Sequence, residues 1–462
     1  GVKTCLVSVG EKLRITGDAY GEYDLFVMED GGAEQDAEQW WQAMCDTTRE
    51  LVKRTGISPD DIDGISFCSQ MQGLVLVDRE GSALRRPMSY MDQRAVKEMK
   101  ECQGHGLQIS GVNAGMLLRS LAVTHAASTS VKDPLWKYKW VQKNEPEIFS
   151  RVYKWLDVKE YLICRCTGEF VMTRDSAYAT FLYDPRKGHE CWSGPLCRMY
   201  GVDPEPLPRS IECTDVAGNL TDKAASQLGL AAGTKVYGGG GDATLIGIGA
   251  GCTKPGQIGV YLGSTDISQS GESMYESLYD YLSDTVAEVP AGSGGVIFTP
   301  WLHGNRCPFE APDAAGMFFN IKIGTGKKQM IRAVLEGICY HLRWMLECED
   351  RKLKTSDTIR FAGGGALSDV TCQMLADITG RTIETVHNTK DVGSLGAAVL
   401  AAVGSGAVPG FDAVDGYIDV KDRFVPDPRN KEVYDLNYRV FRNLYRSNRD
   451  NFRMLNSAAK KG

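Results

Sequence analysis

Two segments of the sequence share a pattern in which a short apolar stretch runs into consecutive glycines and then into a helix-like stretch. In the first, residues 235–237 lead into glycines at 238–241 and a helix-like stretch at 243–248; in the second, residues 359–361 lead into glycines at 363–365 and a stretch at 368–378. Glycine lets the backbone approach a ligand closely, and a helix start presents free N–H groups, which suits a phosphate. The repetition predicts an internal duplication, with two related α/β domains that meet near residues 245–255.

Length, charge and cysteine content narrow the class of protein. The 462 residues allow two or three domains, and the 51 glycines are clustered rather than spread as in a linker. A net charge of −7 disfavours a broad surface for nucleic acid or an anionic membrane, so the expected partner is a small molecule. The cysteines lack zinc-site spacing, and no stretch approaches the ~20 apolar residues of a membrane span. We predict a soluble, cytoplasmic protein with buried thiols.

Hydrophobic periodicity predicts alternating strands and helices in the first half of the chain. The predicted strands cover residues 2–9, 13–25 and 62–68, and the predicted helices cover residues 37–52, 132–140, 148–162 and 224–230. This pattern favours an α/β fold.

Familiar nucleotide and hydrolase motifs can be excluded directly. No G-x-G-x-x-G occurs, and residues 324–328 lack both the upstream glycine and the Ser/Thr of a P-loop. The histidines form no pair with metal or catalytic spacing, and no G-x-S-x-G lies between a strand and a helix. Rossmann and P-loop interpretations of the glycine clusters are therefore rejected.

Asp242 follows four glycines and begins a helix-like stretch. The helix dipole would keep its carboxylate ionised there, and it could serve simply as an N-cap. Phosphoryl transfer to an alcohol, however, needs a carboxylate to accept the hydroxyl proton. From the residues alone the two interpretations stand level. The loops at residues 70–73 and 92–94 offer polar groups for a polyol, although each taken alone is more typical of an ordinary surface loop.

Read in order, these segments resemble the FGGY carbohydrate kinases, most closely the xylulokinase-like branch, over nearly the whole chain. The matching segments include SQMQGLVLVD at 69–78, PMSYMDQR at 87–94, DSAYATFLYD at 175–184, GGGGDATLIGIGAG at 238–251, YLGST at 261–265, FTPWLHGNRCP at 298–308, FAGGGALSDVTCQMLADITG at 361–380 and SLGAAVLAAVGSG at 394–406.

The resemblance implies two actin-like (ribonuclease H-like) α/β domains that flank a central cleft. Residues 1–250 would form the sugar-binding domain and residues 251–462 the nucleotide-binding domain. The implied activity is ATP-dependent phosphorylation of a terminal hydroxyl of a small sugar, most closely a ketopentose such as xylulose. Mg²⁺ would accompany the ATP. Homodimers are common in the family, so a homodimer is expected by analogy.

The resemblance also implies roles for individual residues. Asp242 would be the general base on the sugar hydroxyl, Met71 and Gln72 would line the sugar pocket, and Asp92 would bind substrate hydroxyls or organise that wall. The residues expected to meet the phosphates and the nucleotide are Gly263, Ser264, Thr265, Gly363, Gly364, Gly365, Ala366 and Ser368.

Departures from the family pattern bear on completeness and on substrate choice. Family members begin with a strand and a D-x-G-T-S hairpin, whereas this chain matches the family only from the segment after that hairpin, and a further segment after residue 268 has no counterpart. We expect that the sequence omits these parts of a longer protein.

Three single positions also differ from the xylulokinase branch. Gln72 stands where that branch usually has histidine, Ser264 replaces threonine and Asn305 replaces glutamate. Ribulose, glycerol or gluconate are therefore alternative acceptors, and a non-catalytic sugar- or nucleotide-binding protein is the alternative class.

Overall fold

The structure, a computed structural model, describes residues 1–109, 111–262, 283–302, 304–305 and 307–456. Its contacts divide the chain into two compact units. Unit 1 comprises Gly1–Gly249 and Gly393–Val414, and unit 2 comprises Ala250–Val392 and Asp415–Gly462. Both units combine helices with strands, as the sequence predicts.

Unit 1 contains many short strands around three groups of buried apolar side chains. Its strands are Val2–Val9, Leu13–Gly21, Leu25–Val27, Ala33–Gln35, Gly64–Ile65, Cys68–Ser69, Val75–Val77, Gln108–Ile109, Val112–Asn113, Lys154–Leu156, Val171–Thr173, Tyr183–Asp184, Cys191–Trp192, Arg209–Ile211, Val216–Asn219, Lys235–Tyr237 and Gly240–Gly241. Its helices are Ala37–Thr55, Val96–Gln103, Ala114–Thr124, Pro134–Asn144, Pro146–Phe149, Val158–Thr167, Arg174–Ala179, Gly194–Tyr200, Asp222–Leu228 and Asp242–Gly249. The helix Val392–Ser405, from later in the chain, also belongs to unit 1 except for its first residue.

The helix Ala37–Thr55 shows how the local sequence sets these elements. Asp36 caps its start by accepting the Glu38 N–H, and Gly56 ends it in the left-handed conformation. Its apolar side chains, among them Trp40 and Trp41, recur at helical spacing and are buried.

The prediction of one helix over residues 148–162 is wrong. The structure has the helix Pro146–Phe149, the strand Lys154–Leu156 and then the helix Val158–Thr167. The strand pairs antiparallel with Val75–Val77, with Trp155 opposite Leu76. This long-range pairing buries Trp155, and it overrides the local helical pattern.

Unit 2 is built on a four-stranded sheet. Its strands lie in the order Ile258–Leu262, Thr358–Gly363, Thr382–Val386 and Val420–Phe424, with the first three parallel and the last antiparallel. The strands Ile297–Thr299 and Met317–Phe319 form a separate antiparallel pair. The helices Lys327–Asp350, Asp369–Thr379 and Lys431–Asn456 complete the unit. Among the described residues, no helix is long and apolar enough to cross a membrane.

The segment Gly393–Val414 packs with unit 1, whereas the sequence predicts that all of residues 251–462 belong to the second domain. Small residues allow this packing, because a Cβ on Gly396 would lie 2.1 Å from the Leu245 carbonyl oxygen. Ala397 and Leu400 are buried against Leu245. The segment is therefore placed by a close approach between backbones that glycine permits.

Candidate functional site

A turn in unit 1 carries Gln72 in a left-handed backbone conformation, with φ of 65°. The Asp157 carboxylate accepts the Gln72 N–H at 3.0 Å and the Gly73 N–H at 2.9 Å. From the other side, the Lys137 ammonium donates to the Gln72 carbonyl oxygen at 2.6 Å. The turn is therefore held at three backbone groups by two buried side chains.

Burial shifts the pKa values of both of these side chains, Lys137 and Asp157. It lowers the pKa of Lys137 to about 8, although the carboxylates of Asp157, Asp92 and Asp133 favour the ammonium form. Burial raises the pKa of Asp157, and the neighbouring Glu160 adds to that rise. The turn is thus held by charges that are costly to bury, a feature that is common at functional sites.

Asp242 is the first residue of the helix Asp242–Gly249, and its side chain is exposed. Its Oδ1 accepts the N–H of the next residue, Ala243, at 2.7 Å. Within the described parts of the chain, this is the one hydrogen bond that the carboxylate makes. This contact satisfies one of the free N–H groups in the first turn of the helix, so it is compatible with a cap, and the role of Asp242 as general base stays a prediction.

The glycines before Asp242 permit two close approaches. Gly239 has φ of 67°, and a Cβ there would lie 2.3 Å from the Phe67 carbonyl oxygen. A Cβ on Gly241 would lie 1.9 Å from the Met71 sulfur. Glycine is therefore required at 239, where the contact is with backbone, whereas a side chain at 241 would displace the flexible Met71 side chain.

A cavity of about 1450 Å³ in unit 1 brings the predicted sugar-side residues together. Met71, Gln72 and Asp242 all line it. Gln70 and Gln35 line it as well, and the Gln70 side-chain amide donates to Gln35 Oε1 at 2.7 Å. Gln70 belongs to the polar loop predicted from the sequence, whereas Gln35 was missed because its short strand gives no local signal of a site.

Asp92 lies apart from this lining. It is fully buried, and its Oδ2 accepts the Ala33 N–H at 2.9 Å and pairs with Arg94 at 2.8 Å. Arg94 also pairs with Glu34 at 2.6 Å, and its guanidinium lies 4.5 Å from the centre of the Trp140 ring. Of the two roles that the family resemblance implies for Asp92, these contacts fit organisation of the wall, because its oxygens already have partners inside the protein.

Unit 2 places the second glycine turn against the end of a neighbouring strand. Gly363 ends the strand Thr358–Gly363 with φ of 89°, and a Cβ there would lie 2.2 Å from the Leu262 carbonyl oxygen. A Cβ on Gly365 would lie 3.1 Å from the Leu262 side chain. Gly363 is therefore required by its backbone conformation and by the close approach to Leu262, whereas a side chain at Gly365 would need only a small shift of Leu262.

The remaining predicted nucleotide-side residues continue this turn. Gly364 and Ala366 are buried, and Ser368 caps the helix Asp369–Thr379 by accepting the Thr371 N–H at 3.1 Å. Gly263, Ser264 and Thr265 lie outside the described residues, so their roles stay predictions. Across the described ranges, no group of three or more His, Cys, Asp or Glu side chains could hold a metal ion.

Comparisons with known proteins identify the family. The family model "FGGY family of carbohydrate kinases, N-terminal domain" matches residues 1–249, and the corresponding C-terminal domain model matches residues 216–405. The chain therefore belongs to the FGGY family of carbohydrate kinases.

Individual relatives extend over nearly the whole chain. A xylulose kinase from Bacillus subtilis is 27% identical over 503 residues, which covers 99% of this chain and 96% of the relative. A gluconokinase from the same organism is 27% identical over 483 residues, covering 92% and 90%. Among solved structures, a xylulose kinase from Lactobacillus acidophilus has a TM-score of 0.81 at 21% identity, with 96% of each chain covered. The fold is thus the two-domain actin-like architecture of these kinases, as expected.

Proposed function

We propose that this carbohydrate kinase transfers the γ-phosphoryl group of ATP to a terminal hydroxyl of a ketopentose, with xylulose as the favoured acceptor. The observation that carries the proposal is the cavity in unit 1 that Asp242 shares with Met71 and Gln72. The relatives named xylulose kinase, which match over nearly full length, support this choice of sugar.

The chemistry requires one carboxylate beside the reacting hydroxyl. Asp242 Oδ1 is oriented by the Ala243 N–H, and Oδ2 accepts the sugar proton. As that proton moves, the hydroxyl oxygen bonds to the γ-phosphorus and the bond from phosphorus to the ADP oxygen breaks. The products are a sugar phosphate and ADP.

The nucleotide would be held by unit 2. Gly363, Gly364, Gly365, Ala366 and Ser368 are the proposed contacts within the described residues. Mg²⁺ keeps most of its water and binds phosphate oxygens with one or two carboxylates, so it would arrive with ATP and neutralise phosphate charge.

Two observations favour a second acceptor. Gln72 presents an amide at the position where the xylulokinase branch usually has an imidazole, and a relative of similar identity is named gluconokinase. Gluconate is therefore the second candidate acceptor. Ribulose and glycerol remain alternative acceptors.

A coupled assay of ADP release tests the function. The full-length protein is mixed with ATP, Mg²⁺ and a panel of xylulose, ribulose, gluconate and glycerol. Strong release with xylulose is expected, and release with gluconate alone would instead select the second candidate. A folded protein that binds sugar but releases no ADP with any member would overturn the kinase proposal in favour of the non-catalytic one.

Lys137→Met is expected to weaken sugar binding. Without the ammonium, the Gln72 carbonyl loses its donor, and an unsatisfied buried acceptor costs about 1–3 kcal/mol. We expect the sugar KM to rise about tenfold, with a smaller change in kcat.

The hydrogen bond from Lys137 to the Gln72 carbonyl also predicts a pH dependence of the parent enzyme. The ammonium is present below the depressed pKa of about 8, and the neutral amine above it is a weaker donor to the Gln72 carbonyl, so the parent KM should rise modestly as pH passes through 8.

Lys139→Met is the matched control for this variant. Lys139 lies on the same helix, Pro134–Asn144, and also donates to a backbone carbonyl, that of Gly201 at 3.1 Å. Its KM and pH profile should match those of the parent. A Lys137→Met enzyme with the parent's KM at pH 7 would show that this contact does not support the sugar turn.

The homodimer and the cytoplasmic location stay predictions. Light scattering coupled to size-exclusion chromatography tests the homodimer, which a single species of monomer mass would contradict.

A further inference from the structure

A second pair of buried charges lies in unit 1, at a place where the sequence predicts no site. Lys159 and Glu160 occupy the first turn of the helix Val158–Thr167 and are 1% and 0% exposed. Burying two charges is expensive, and an apolar replacement would often be as stable. The contacts of Lys159 and Glu160 therefore indicate which part of the structure the pair holds in place.

Lys159 connects this helix to Asp175. Its ammonium lies 2.7 Å from Glu160 Oε1 and 3.3 Å from Asp175 Oδ1, and it also donates to the Ser176 hydroxyl. The Thr173 hydroxyl lies within hydrogen-bond distance of both Glu160 Oε1, at 2.8 Å, and Asp175 Oδ1. One oxygen of Asp175 is thus fixed by an ammonium and a hydroxyl.

The other oxygen of Asp175 reaches the backbone that carries the candidate base. Asp175 Oδ2 accepts the N–H of Gly241 at 2.7 Å, a distance typical of a charge-assisted hydrogen bond. Gly241 directly precedes Asp242. On its other flank the strand Gly240–Gly241 pairs with Cys68–Ser69. The carboxylate therefore holds the peptide group from which the Asp242 side chain projects.

The charges in this network are mutually supporting. Burial would raise the pKa of the Asp175 carboxyl, but Lys159, the Thr173 hydroxyl and the Gly241 N–H lower it to below its usual range. Burial would likewise lower the pKa of Lys159, and the carboxylates of Asp175, Glu160 and Asp157 raise it above its usual value. Both groups stay charged at neutral pH, so the contact with Gly241 persists there.

We propose that Asp175 is a positioning residue for Asp242, held in place by Lys159. This inference rests on the proposed kinase function, in which Asp242 accepts the hydroxyl proton. Asp175 acts through the Gly241 peptide and does not itself touch the sugar. A displacement of about 1 Å at a reacting group can cost about 100-fold in rate, so control of this peptide is worth a buried ion pair.

Asp175→Asn tests the proposal. An asparagine can offer oxygen to the Gly241 N–H only by turning its NH₂ group toward the Lys159 and Thr173 donors, so the contact is lost or displaced. With the acceptor found in the ADP-release panel, we expect kcat to fall about 10- to 100-fold. The sugar Kd, measured by calorimetry without ATP, should stay within about threefold of the parent value.

A double-mutant cycle separates positioning from general damage. If Asp175 acts through Asp242, adding Asp175→Asn to Asp242→Asn should lower kcat no further than Asp242→Asn alone. Equal, additive losses in the two backgrounds would overturn the proposal. Asp184→Asn is the matched control, because Asp184 is also buried, pairs with Arg186 and accepts its backbone N–H. It should keep the parent kcat.

Hydrogen exchange at the Gly241 amide provides a readout independent of turnover. Asp175→Asn should speed its exchange at least tenfold, and unchanged exchange would overturn the proposal. If the parent protein releases no ADP with any acceptor, the proposed function fails, while exchange still tests whether Asp175 holds Gly241.

Thr173→Val is the second variant, to be used if Asp175→Asn does not fold. We expect it to reduce kcat about threefold and to leave the sugar Kd unchanged. An unchanged kcat in that variant would then count against the proposal.

Discussion

Asp242→Asn is expected to lower kcat by about 10²- to 10⁴-fold while leaving the sugar Kd within about threefold of the parent value. The amide keeps the shape of the side chain and can still accept the Ala243 N–H, but it cannot take up the hydroxyl proton. Steady-state ADP release gives kcat, and calorimetry without ATP gives the sugar Kd.

Asp222→Asn is the matched control, since Asp222 is also an exposed aspartate at the first position of a helix, Asp222–Leu228. It should keep the parent kcat. An Asp242→Asn enzyme with near-parental kcat on its preferred sugar would remove Asp242 from the mechanism.

Glu336→Ala is expected to destabilise unit 2 by about 3–5 kcal/mol. The Glu336 carboxylate is fully buried and accepts from Arg332 at 2.8 Å, the Gly292 N–H at 2.9 Å and the Ser293 hydroxyl at 2.8 Å. Tyr434 donates to it as well, at 3.2 Å. Removing the carboxylate leaves the Arg332 guanidinium buried without its counter-charge. Urea unfolding, monitored by hydrogen exchange along the helix Lys327–Asp350, measures the loss of unfolding free energy.

A double variant and a surface control test whether this loss comes from the unpaired buried charge. Arg332→Met combined with Glu336→Leu removes both charges and should recover much of the stability. Lys431→Met breaks only the exposed pair with Asp435 and should cost less than about 1 kcal/mol. A Glu336→Ala loss as small as that of Lys431→Met would show that the buried network contributes little to the stability of unit 2.

Local sequence patterns predicted the individual elements around the site well. The strand at residues 2–9 and the helix that begins at residue 37 occur as expected, and Asp242 begins the helix after the glycine turn. These features depend on neighbours in sequence, such as the Asp36 cap and the spacing of Trp40 and Trp41. The helix predicted over residues 148–162 failed because its strand is decided by pairing with a distant segment.

The supporting contacts of the site were beyond local reasoning. Lys137 meets Gln72 from 65 residues away, and Asp175 meets Gly241 from 66 residues away. Asp175 begins one of the segments that match the family, but neither its local pattern nor that of Lys137 indicates which group the side chain will contact. Their burial, and hence their importance, arises only when separate elements pack together.

By itself, the sequence determined the family, the α/β class and the candidate base, because ordered motifs and glycine turns are properties of short segments. The tertiary structure alone decided that Asp92 faces the protein interior, that Gly393–Val414 joins unit 1 and that Asp175 holds the peptide before Asp242. The physical reason is that burial and hydrogen-bond partners depend on which distant segments meet. A periodic pattern reports which face of an element is apolar, but it does not report what that face will contact.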